Sequence, residues 1–369
     1  MSEELRCIGC GSILQDQDPK KSGYLPTSAL KKALTSDDNE VYCQRCFRLR
    51  HYNEIMPVEE NNDDFLALLN SISQKKALVV NVVDLFDFSN SLISSIKRFI
   101  GGNEYILVGN KVDLFPKNSK ESKIKDWMRQ EANRNGLKPE KIFLVSAAKK
   151  KNLADLMAFL AKKGEKKDIY FVGTTNVGKS TLINAIINMN SDLKDVITTS
   201  KFPGTTLDEI KIPLSNGHYL IDTPGILNAN QLASHLSGKE LEVVEPKKPL
   251  KPATYQLLPG QTIFLAGLGR FDYVDGSSAG FTIYVARDLY VHRTKTENAD
   301  TFYEKHKDDL LLPPSKEDNL GPLKGQTFSP KEKSDILFGG VGFITTPANV
   351  VVKAYTPEGI GLGIRRALI

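Results

Sequence analysis

The feature that most constrains this chain is residues 173–180, which read GTTNVGKS and satisfy the pattern G-x-x-x-x-G-K-[ST]. The apolar run DIYFV precedes this stretch, and the helical pattern STLINAI follows it. A glycine-rich loop between a strand and a helix directs backbone N–H groups and the positive end of the helix at one point, which suits a phosphate. The sequence therefore predicts a phosphate-binding loop in an α/β domain, and a chance turn before a helix is the alternative.

This loop predicts a set of nucleotide contacts. Lys179 is expected to reach the β- and γ-phosphates, and the Ser180 hydroxyl is expected to ligate Mg²⁺. The remaining loop residues that we expect to contact the nucleotide are Gly173, Asn176, Val177, Gly178 and Thr181.

Two further motifs follow the loop along the chain. HYLIDTPG (218–225) ends a predicted strand, so Asp222 is expected to hold Mg²⁺ through water and the Gly225 N–H to meet the γ-phosphate. Between this motif and the loop, PGTTLD supplies a threonine that can close over the Mg²⁺. We expect Thr206 to do so, with Thr205 as the alternative.

Residues ahead of the loop are typical of a guanine-reading corner. Asn110, Lys111 and Asp113 follow the apolar strand ILVG in the pattern N-K-x-D. A carboxylate at Asp113 can accept hydrogen bonds from guanine N1–H and N2–H₂, and adenine offers no such donor pair. Asn110 is expected to tether the loop near O6, and the Lys111 stem to cover the base. The stretch SAAKK adds Ser146 and Ala147, whose N–H can donate to O6.

The order of these motifs is unusual, because the base-reading motifs precede the phosphate loop. Strand-like runs beginning near 76, 103, 141, 168, 207 and 217 supply six strands for one sheet. Domain termini usually lie near each other at the surface, so moving the start of the chain is sterically inexpensive. The sequence therefore predicts an α/β fold, a circularly permuted P-loop GTPase domain over residues 57–235.

The four cysteines of the chain all lie in the predicted N-terminal segment 1–56. They form two Cys-x-x-Cys pairs, which in a reducing compartment are better explained by a metal than by disulfides. Four thiolates leave no open position, so we expect a structural zinc rather than a catalytic one. A redox role is the alternative, although the sequence around each pair is unlike thioredoxin. The predicted zinc ligands are Cys7, Cys10, Cys43 and Cys46.

Basic and aromatic residues alternate after the second cysteine pair, in QRCFRLRHY. Arg45, Arg48 and Arg50 together with Phe47 and Tyr52 suit phosphates and stacked bases. A solvated basic face is the alternative interpretation. Residues 236–369 contain several strand-like runs and predict a mainly β domain.

The composition limits the class of protein to which the chain can belong, but it does not identify a partner. The 369 residues are 40% hydrophobic and carry a net charge of +5, which permits a polyanionic partner but does not demand one. No apolar run approaches the ~18 residues that a membrane span needs. We therefore expect a cytoplasmic protein that does not bind membranes.

Taken together, these motifs resemble the YqeH family of bacterial ribosome-assembly GTPases. The resemblance rests on CIGC, CQRC, NKVDLFPK, SAAKKKN, GTTNVGKSTLIN, PGTTLD and DTPGI. It implies a GTP-hydrolysing assembly factor for the small (30S) ribosomal subunit that binds 16S rRNA, and it implies RNA contact by the C-terminal domain, residues 236–369. The first alternative is a GTP-gated RNA-binding module with incidental turnover and a different partner. A zinc-dependent DNA-binding regulator is the second, but the sequence shows no helix-turn-helix pattern.

The sequence also predicts how hydrolysis is assisted. Ile226 occupies the position at which many GTPases carry a water-orienting glutamine. Asn176 resembles the asparagine that holds K⁺ in cation-dependent GTPases, where the ion replaces an arginine finger. We therefore expect slow intrinsic turnover that K⁺ or a partner stimulates. The expected catalytic residues are Lys179, Asn176, Thr206 and Gly225.

Overall fold

The chain forms two compact units in its computed structural model. The first unit comprises residues 1–112 and 128–227, and the second comprises residues 113–127 and 228–369. None of the helices described is long and apolar enough to cross a membrane. The structure describes residues 5–8, 10, 12–35, 41–52, 59–60, 62–117, 119–190, 210–214, 217–226, 232, 235–236, 238–318 and 320–369.

A six-stranded sheet forms the core of the first unit. Its strands are β2 (Ala77–Asp84), β3 (Glu104–Asn110), β4 (Ile142–Leu144), β5 (Asp168–Val172), β6 (Ile210–Pro213) and β7 (Tyr219–Asp222). The order across the sheet is β4–β3–β2–β5–β7–β6, and only β6 runs antiparallel to its neighbour. β2 is buried along its whole length, as is typical of parallel strands covered on both faces.

The sheet order confirms the predicted permutation. β5, which leads into the phosphate loop, lies in the interior of the sheet between β2 and β7, although three other strands of the same sheet precede it in the chain. β7 ends at Asp222 and β3 ends at Asn110, so both strands deliver their motifs at the same edge. The carboxyl ends of parallel strands meet at one edge of a sheet, and ligands of α/β folds bind there.

Most of the helices lie in the first unit, and the helix Glu121–Arg134 is divided between the two units. Residues 89–100, whose apolar spacing is helical, form two short helices with a break between them instead of one. The hydroxyl of Ser91 accepts from Asp84 N (3.0 Å) and donates to Phe88 O (3.2 Å), which pins the first helix to the end of β2. The helices are α1 (Thr27–Thr35), α2 (Gln44–Tyr52), α3 (Asn62–Ser73), α4 (Phe88–Ser91), α5 (Ile96–Phe99), α6 (Glu121–Arg134), α7 (Leu153–Gly164) and α8 (Lys179–Met189).

The N-terminal segment packs around its four cysteines. The first cysteine pair lies in a turn in which Cys7 N donates to Ser12 O (2.9 Å), and the second pair lies at the start of α2. Leu14 and Leu25 are buried with the cysteines, whereas Leu49 of α2 is buried in the core of the six-stranded sheet. Helix α2 is therefore shared between the cysteine cluster and the sheet core.

A short pair of strands follows α2 in the same unit. β1 (Glu59–Glu60) pairs in parallel with β8 (Gly225–Ile226), which follows β7 directly. The chain that leaves the cysteine segment is thus hydrogen-bonded to the chain that leaves Asp222.

The second unit consists mainly of two antiparallel sheets of five strands each. Their orders are β13–β10–β11–β17–β14 and β18–β15–β16–β12–β9. The unit also contains α9 (Gly238–Val244) and α10 (Thr296–His306). The strands are β9 (Ala253–Leu257), β10 (Gln261–Leu265), β11 (Gly269–Asp275), β12 (Ala279–Val285), β13 (Val291–Lys295), β14 (Leu323–Phe328), β15 (Ser334–Phe338), β16 (Gly342–Thr346), β17 (Val351–Pro357) and β18 (Leu362–Arg366).

Two continuous apolar runs of this unit, each of which has the sequence pattern of a single strand, form hairpins. QTIFLAGLGRFDYV divides into β10 and β11, and DILFGGVGFITT divides into β15 and β16. Each run contains glycines in its middle, and Gly340 has φ +74°, a conformation that side chains disfavour. The glycines therefore reverse the chain inside what is otherwise a continuous apolar pattern.

Truncating Phe171 to alanine should destabilise the first unit by about 3–5 kcal/mol, because this β5 side chain is fully buried in the sheet core. Urea unfolding followed by circular dichroism at 222 nm measures this cost, since most of the helices lie in the first unit. Phe47→Ala is the matched control, because it removes the same atoms from a ring that is 43% exposed. Equal unfolding midpoints for the two variants would contradict the assigned core.

Candidate functional site

The phosphate loop connects β5 to α8 and has the backbone that its glycines predict. A Cβ added to Gly173 would lie 2.8 Å from Val82 O, and one added to Gly178 would collide with the Asn110 amide nitrogen. Gly178 also has φ +81°. Asn176 has φ +63° and an exposed side chain, so it too adopts the left-handed conformation that asparagine tolerates.

Lys179 is buried and bound to the end of β7. Its ammonium donates to Asp222 Oδ1 and to Thr223 O. The side chains of Lys179 and Asp222 are 7% and 1% exposed, so the pair is shielded from water. Burial lowers the pKa of Lys179, and the carboxylate of Asp222 opposes that effect. The structure thus joins the phosphate loop and the D-x-x-G motif through a buried charge pair.

A second cation, which sequence reasoning did not place here, shares the same carboxylate. Arg45 of α2 donates from Nη2 to Asp222 Oδ2 at 2.7 Å, and its side chain is 5% exposed. Burial works against the charge, but attraction to Asp222 and to the cysteine sulfurs raises the pKa of Arg45. The interpretation of Arg45 as part of an exposed basic surface is therefore wrong. The position of Arg45 in the sequence, between two cysteines, does not indicate that it contacts Asp222.

Asn110 links the base-reading corner to the phosphate loop. Its Nδ2 donates to Val177 O (2.9 Å), and its Oδ1 accepts from Ala147 N (3.0 Å). The predicted tethering role of Asn110 thus has a physical basis in two buried hydrogen bonds. The Ala147 N–H is directed at Asn110 here, and its donation to guanine O6 stays a prediction.

The lysine of the base corner has a carboxylate partner that the sequence analysis missed. Lys111 has φ +67°, and its Nζ lies 2.7 Å from Asp84 Oδ2. Asp84 ends β2, the neighbour of β3, so adjacent strand ends bring the two charges together. The signal in the sequence is an acidic residue at the end of an apolar strand. Asp113 lies in the 3₁₀ turn Val112–Leu114 immediately afterwards.

The SAAKK stretch forms a turn that buries Ser146. The Ser146 N–H donates to Lys151 O (3.1 Å), and its Oγ accepts from Lys149 N (3.0 Å). Ser146 therefore shapes the loop that presents the Ala147 N–H next to Asn110.

The residues after Asp222 pair with the phosphate loop. Ile226 N donates to Gly173 O (3.1 Å), and Ile226 O accepts from Thr175 N (2.9 Å). Gly225 packs against Thr175, where an added Cβ would lie 3.3 Å from its methyl group. Ile226 is thus attached to the loop through its backbone, and its apolar side chain has no group that could orient a water.

The remaining predicted contacts fall in two classes. Ser180 and Val177 are buried at the start of α8, and Thr181 is exposed. Thr206 and its alternative Thr205 lie outside the residues that the structure describes, so the threonine ligand of Mg²⁺ stays a prediction.

The four cysteines form a closed cluster that fits a zinc ion. Their Sγ atoms all lie within 4.8 Å of one another, and those of Cys10 and Cys43 are 3.7 Å apart. A tetrahedron with 2.3 Å zinc–sulfur bonds has edges of about 3.8 Å. Cys43 N also donates to Cys7 Sγ at 3.2 Å. Both spacing and donor set match a structural zinc site.

Hydrogen bonds among the four thiols lower the pKa values of two cysteines and raise those of the other two. The hydrogen bond from Cys10, followed by those from Cys43 and Cys46, lowers the pKa of Cys7 far below its usual value. The hydrogen bond with Cys43 lowers the pKa of Cys10 to about 7. Hydrogen bonding to Cys10 raises the pKa of Cys43 and of Cys46. A metal bound by the cluster would be held by all four sulfurs as thiolates, because the thiolate is the form that ligates a metal.

The sheet order, the phosphate loop and the base corner at one edge define a circularly permuted GTPase of the P-loop type. The chain belongs to the YqeH family. It is 47% identical to "Uncharacterized protein YqeH" of Bacillus subtilis over 371 aligned residues, which cover 100% of both chains. The chain is therefore a GTPase that binds guanine nucleotides.

Two family models match parts of the chain. The model "50S ribosome-binding GTPase" matches residues 168–250, and the model "YqeH-like, C-terminal" matches residues 278–368. A more distant relative is "NO-associated protein 1, chloroplastic/mitochondrial" of Arabidopsis thaliana, which is 29% identical over 92% of this chain and 69% of its own.

A solved structure described as GDP-bound TM YlqF is also similar, at 22% identity. It covers 45% of this chain and 57% of its own, with a TM-score of 0.29. The permuted fold is evident in the strand order of the six-stranded sheet.

Replacing Asn110 by alanine should weaken GDP binding at least tenfold, because it removes both hydrogen bonds that join the base corner to the phosphate loop. Calorimetric titration with GDP measures the change. Asn133→Ala, at an exposed position of α6, removes the same amide and should leave the affinity unchanged. Unaltered GDP affinity in Asn110→Ala would refute the tethering role.

Proposed function

We propose that this protein is a nucleotide-gated assembly factor for the small (30S) ribosomal subunit, acting in the cytoplasm on 16S rRNA. The observation that carries the proposal is the double role of α2. One side of this helix places Arg45 on the Asp222 carboxylate, and another presents exposed rings. A surface that can contact RNA is therefore built on the same helix as a contact to the nucleotide site.

The exposed side of α2 has the character of a base-stacking surface. Phe47 and Tyr52 are 43% and 67% exposed, which is unusual for large apolar rings. Phe47 also lies against His51, with ring centroids 4.3 Å apart. Exposed aromatic rings stack on unpaired bases, and this recognition is typical of single-stranded RNA.

The choice of subunit rests on the family resemblance. The matched GTPase model carries the words "50S ribosome-binding" in its description, and those words concern that family. The YqeH resemblance implies the small subunit instead. A test must therefore offer both subunits to the protein.

The proposed chemistry assigns a role to each residue at the sheet edge. Lys179 neutralises the β- and γ-phosphates, while Ser180, Thr206 and Asp222 hold Mg²⁺, and the Gly225 N–H meets the γ-phosphate. Bound Mg²⁺ would supply charge neutralisation at the phosphates. Binding of the nucleotide requires the Lys179 ammonium to turn from Asp222 towards the phosphates.

Base recognition and cation use complete the proposal. Asp113 reads the guanine N1–H and N2–H₂, and the Lys111 stem covers the base while its ammonium stays near Asp84. Asn176 holds K⁺ beside the phosphates, where the ion stabilises charge that develops during hydrolysis. Its exposed position at the bend of the loop supports this role.

The proposed organisation follows the three functional parts. Residues 1–56 form the zinc-finger segment, residues 57–235 the permuted GTPase domain and residues 236–369 a C-terminal β domain that contacts RNA. The two sheets of that last part bury Phe271, Tyr273 and Phe281 but leave Tyr290 37% exposed. The exposed aromatic content of the C-terminal domain is thus modest, and the α2 surface is the stronger RNA candidate.

Sedimentation with separated ribosomal subunits tests the proposed partner. We expect co-sedimentation with the small subunit when the protein holds a non-hydrolysable GTP analogue, and much less with GDP. Binding should weaken steeply as salt is raised, because phosphate contacts release counterions. Binding to the large subunit alone, or to neither subunit, would overturn the assignment.

Potassium should accelerate GTP hydrolysis relative to sodium, and Asn176→Gly should abolish that difference. Glycine keeps the left-handed backbone of the loop, so the variant removes the amide without straining the turn. Steady-state phosphate release in the two salts measures the effect, and GDP affinity provides the control for an intact loop. Equal wild-type rates in K⁺ and Na⁺ would refute the potassium role.

A further inference from the structure

We propose that Arg45 is a positioning residue of the GTPase site, whose guanidinium holds the Asp222 carboxylate and competes with Mg²⁺ for it. Through this contact the zinc segment sets the magnesium affinity of the nucleotide complex. The inference rests on the proposed magnesium role of Asp222.

The geometry places Arg45 where it must compete with a metal. Asp222 offers two carboxylate oxygens, of which Oδ1 accepts from Lys179 and Oδ2 accepts from Arg45 at 2.7 Å. Both oxygens are therefore engaged by cations in the state that the structure describes. Mg²⁺, or a water on it, can reach Asp222 only if one of these contacts is released.

The charges explain why Arg45 rather than Lys179 decides the metal affinity. Lys179 gains the nucleotide phosphates as new anionic partners when it leaves Asp222. Arg45 comes from the zinc segment and keeps its own backbone position, so it stays near the carboxylate as a competing positive charge. A buried charge retained beside a divalent cation raises the energy of the bound metal, because the low dielectric strengthens repulsion.

The position of Arg45 depends on the cysteine cluster. It lies between Cys43 and Cys46, two of the four sulfur donors, in the first turn of α2. One turn further on, Leu49 is buried in the sheet core of the same unit. The helix is thus fixed at its start by the cluster and along its length by the core, and the arginine cannot withdraw while both hold.

A second, backbone contact joins the same two regions. β1, which follows α2, pairs with Gly225 and Ile226, the residues immediately after the Asp222 turn. The zinc segment therefore contacts the D-x-x-G region both at the carboxylate and along the following strand. A structural change in the zinc segment can therefore affect Asp222 in two ways, through the Arg45 contact and through the pairing of β1 with β8.

The test is a calorimetric titration of Mg²⁺ into the GDP complex of the full chain, which reports binding and not turnover. Arg45→Ala should bind Mg²⁺ about tenfold more tightly than the wild type, as expected for removal of one competing charge-assisted hydrogen bond. Arg45→Lys keeps the charge and should remain close to the wild type. Arg98→Ala, at an exposed position of α5, is the control for loss of a positive charge and should not change the affinity.

Two further measurements distinguish the possible failures. Zinc content must stay at the wild-type level in Arg45→Ala, and stripping zinc from the wild type should raise magnesium affinity to a similar extent. In an Asp222→Asn background, Arg45→Ala should have no further effect.

Unchanged or weaker magnesium binding in Arg45→Ala, with zinc retained, would overturn the inference. An equal shift in the Asp222→Asn background would overturn it as well, since Arg45 would then act by another route. Wild-type magnesium affinity in Asp222→Asn alone would instead refute the ligand role of Asp222, a failure of the proposed function that the single variants identify separately.

Discussion

The buried carboxylate of Asp222 is the interaction on which the nucleotide site depends. It lies at the end of β7, and it is bound by one cation from the phosphate loop and one from the cysteine segment. A buried carboxylate without such partners would be strongly destabilising. The segments that supply Lys179 and Arg45 are therefore held together by the same charge that the proposed metal needs. Folding of the N-terminal segment therefore affects how the charged groups of the nucleotide site are positioned.

The permutation is tolerated because the sheet, not the chain order, places the functional groups. Parallel strands deliver Asn110, Gly173 and Asp222 to one edge wherever the chain begins. The permutation changes which segments lie next to the two chain ends of the domain. The residues after Asp222 now lead out of the sheet, and they pair with β1, which follows the cysteine segment. A segment added in front of the domain thereby lies beside the region that follows the Asp222 carboxylate.

Sequence patterns predicted the sheet well because most of its parallel strands are apolar runs next to a glycine-rich or polar turn. They failed where local geometry overrides the pattern. The hydroxyl of Ser91 binds the end of β2 and interrupts a helix that its spacing favoured. Glycines within two apolar runs reverse the chain and turn expected strands into hairpins. Such outcomes depend on backbone angles and on contacts distant in sequence, which a one-dimensional pattern does not contain.

The candidate site shows the same division between local and long-range information. The phosphate loop and the N-K-x-D corner are contiguous motifs, so their residues could be predicted by spacing alone. Arg45 contacts a residue 177 positions away, and Asp84 contacts Lys111 through the pairing of neighbouring strands. A basic residue between two cysteines looks like a surface charge in sequence, and only the packing of α2 reveals it as buried. Because a buried arginine needs an anionic partner, its burial makes the zinc segment part of the nucleotide site rather than a separate module.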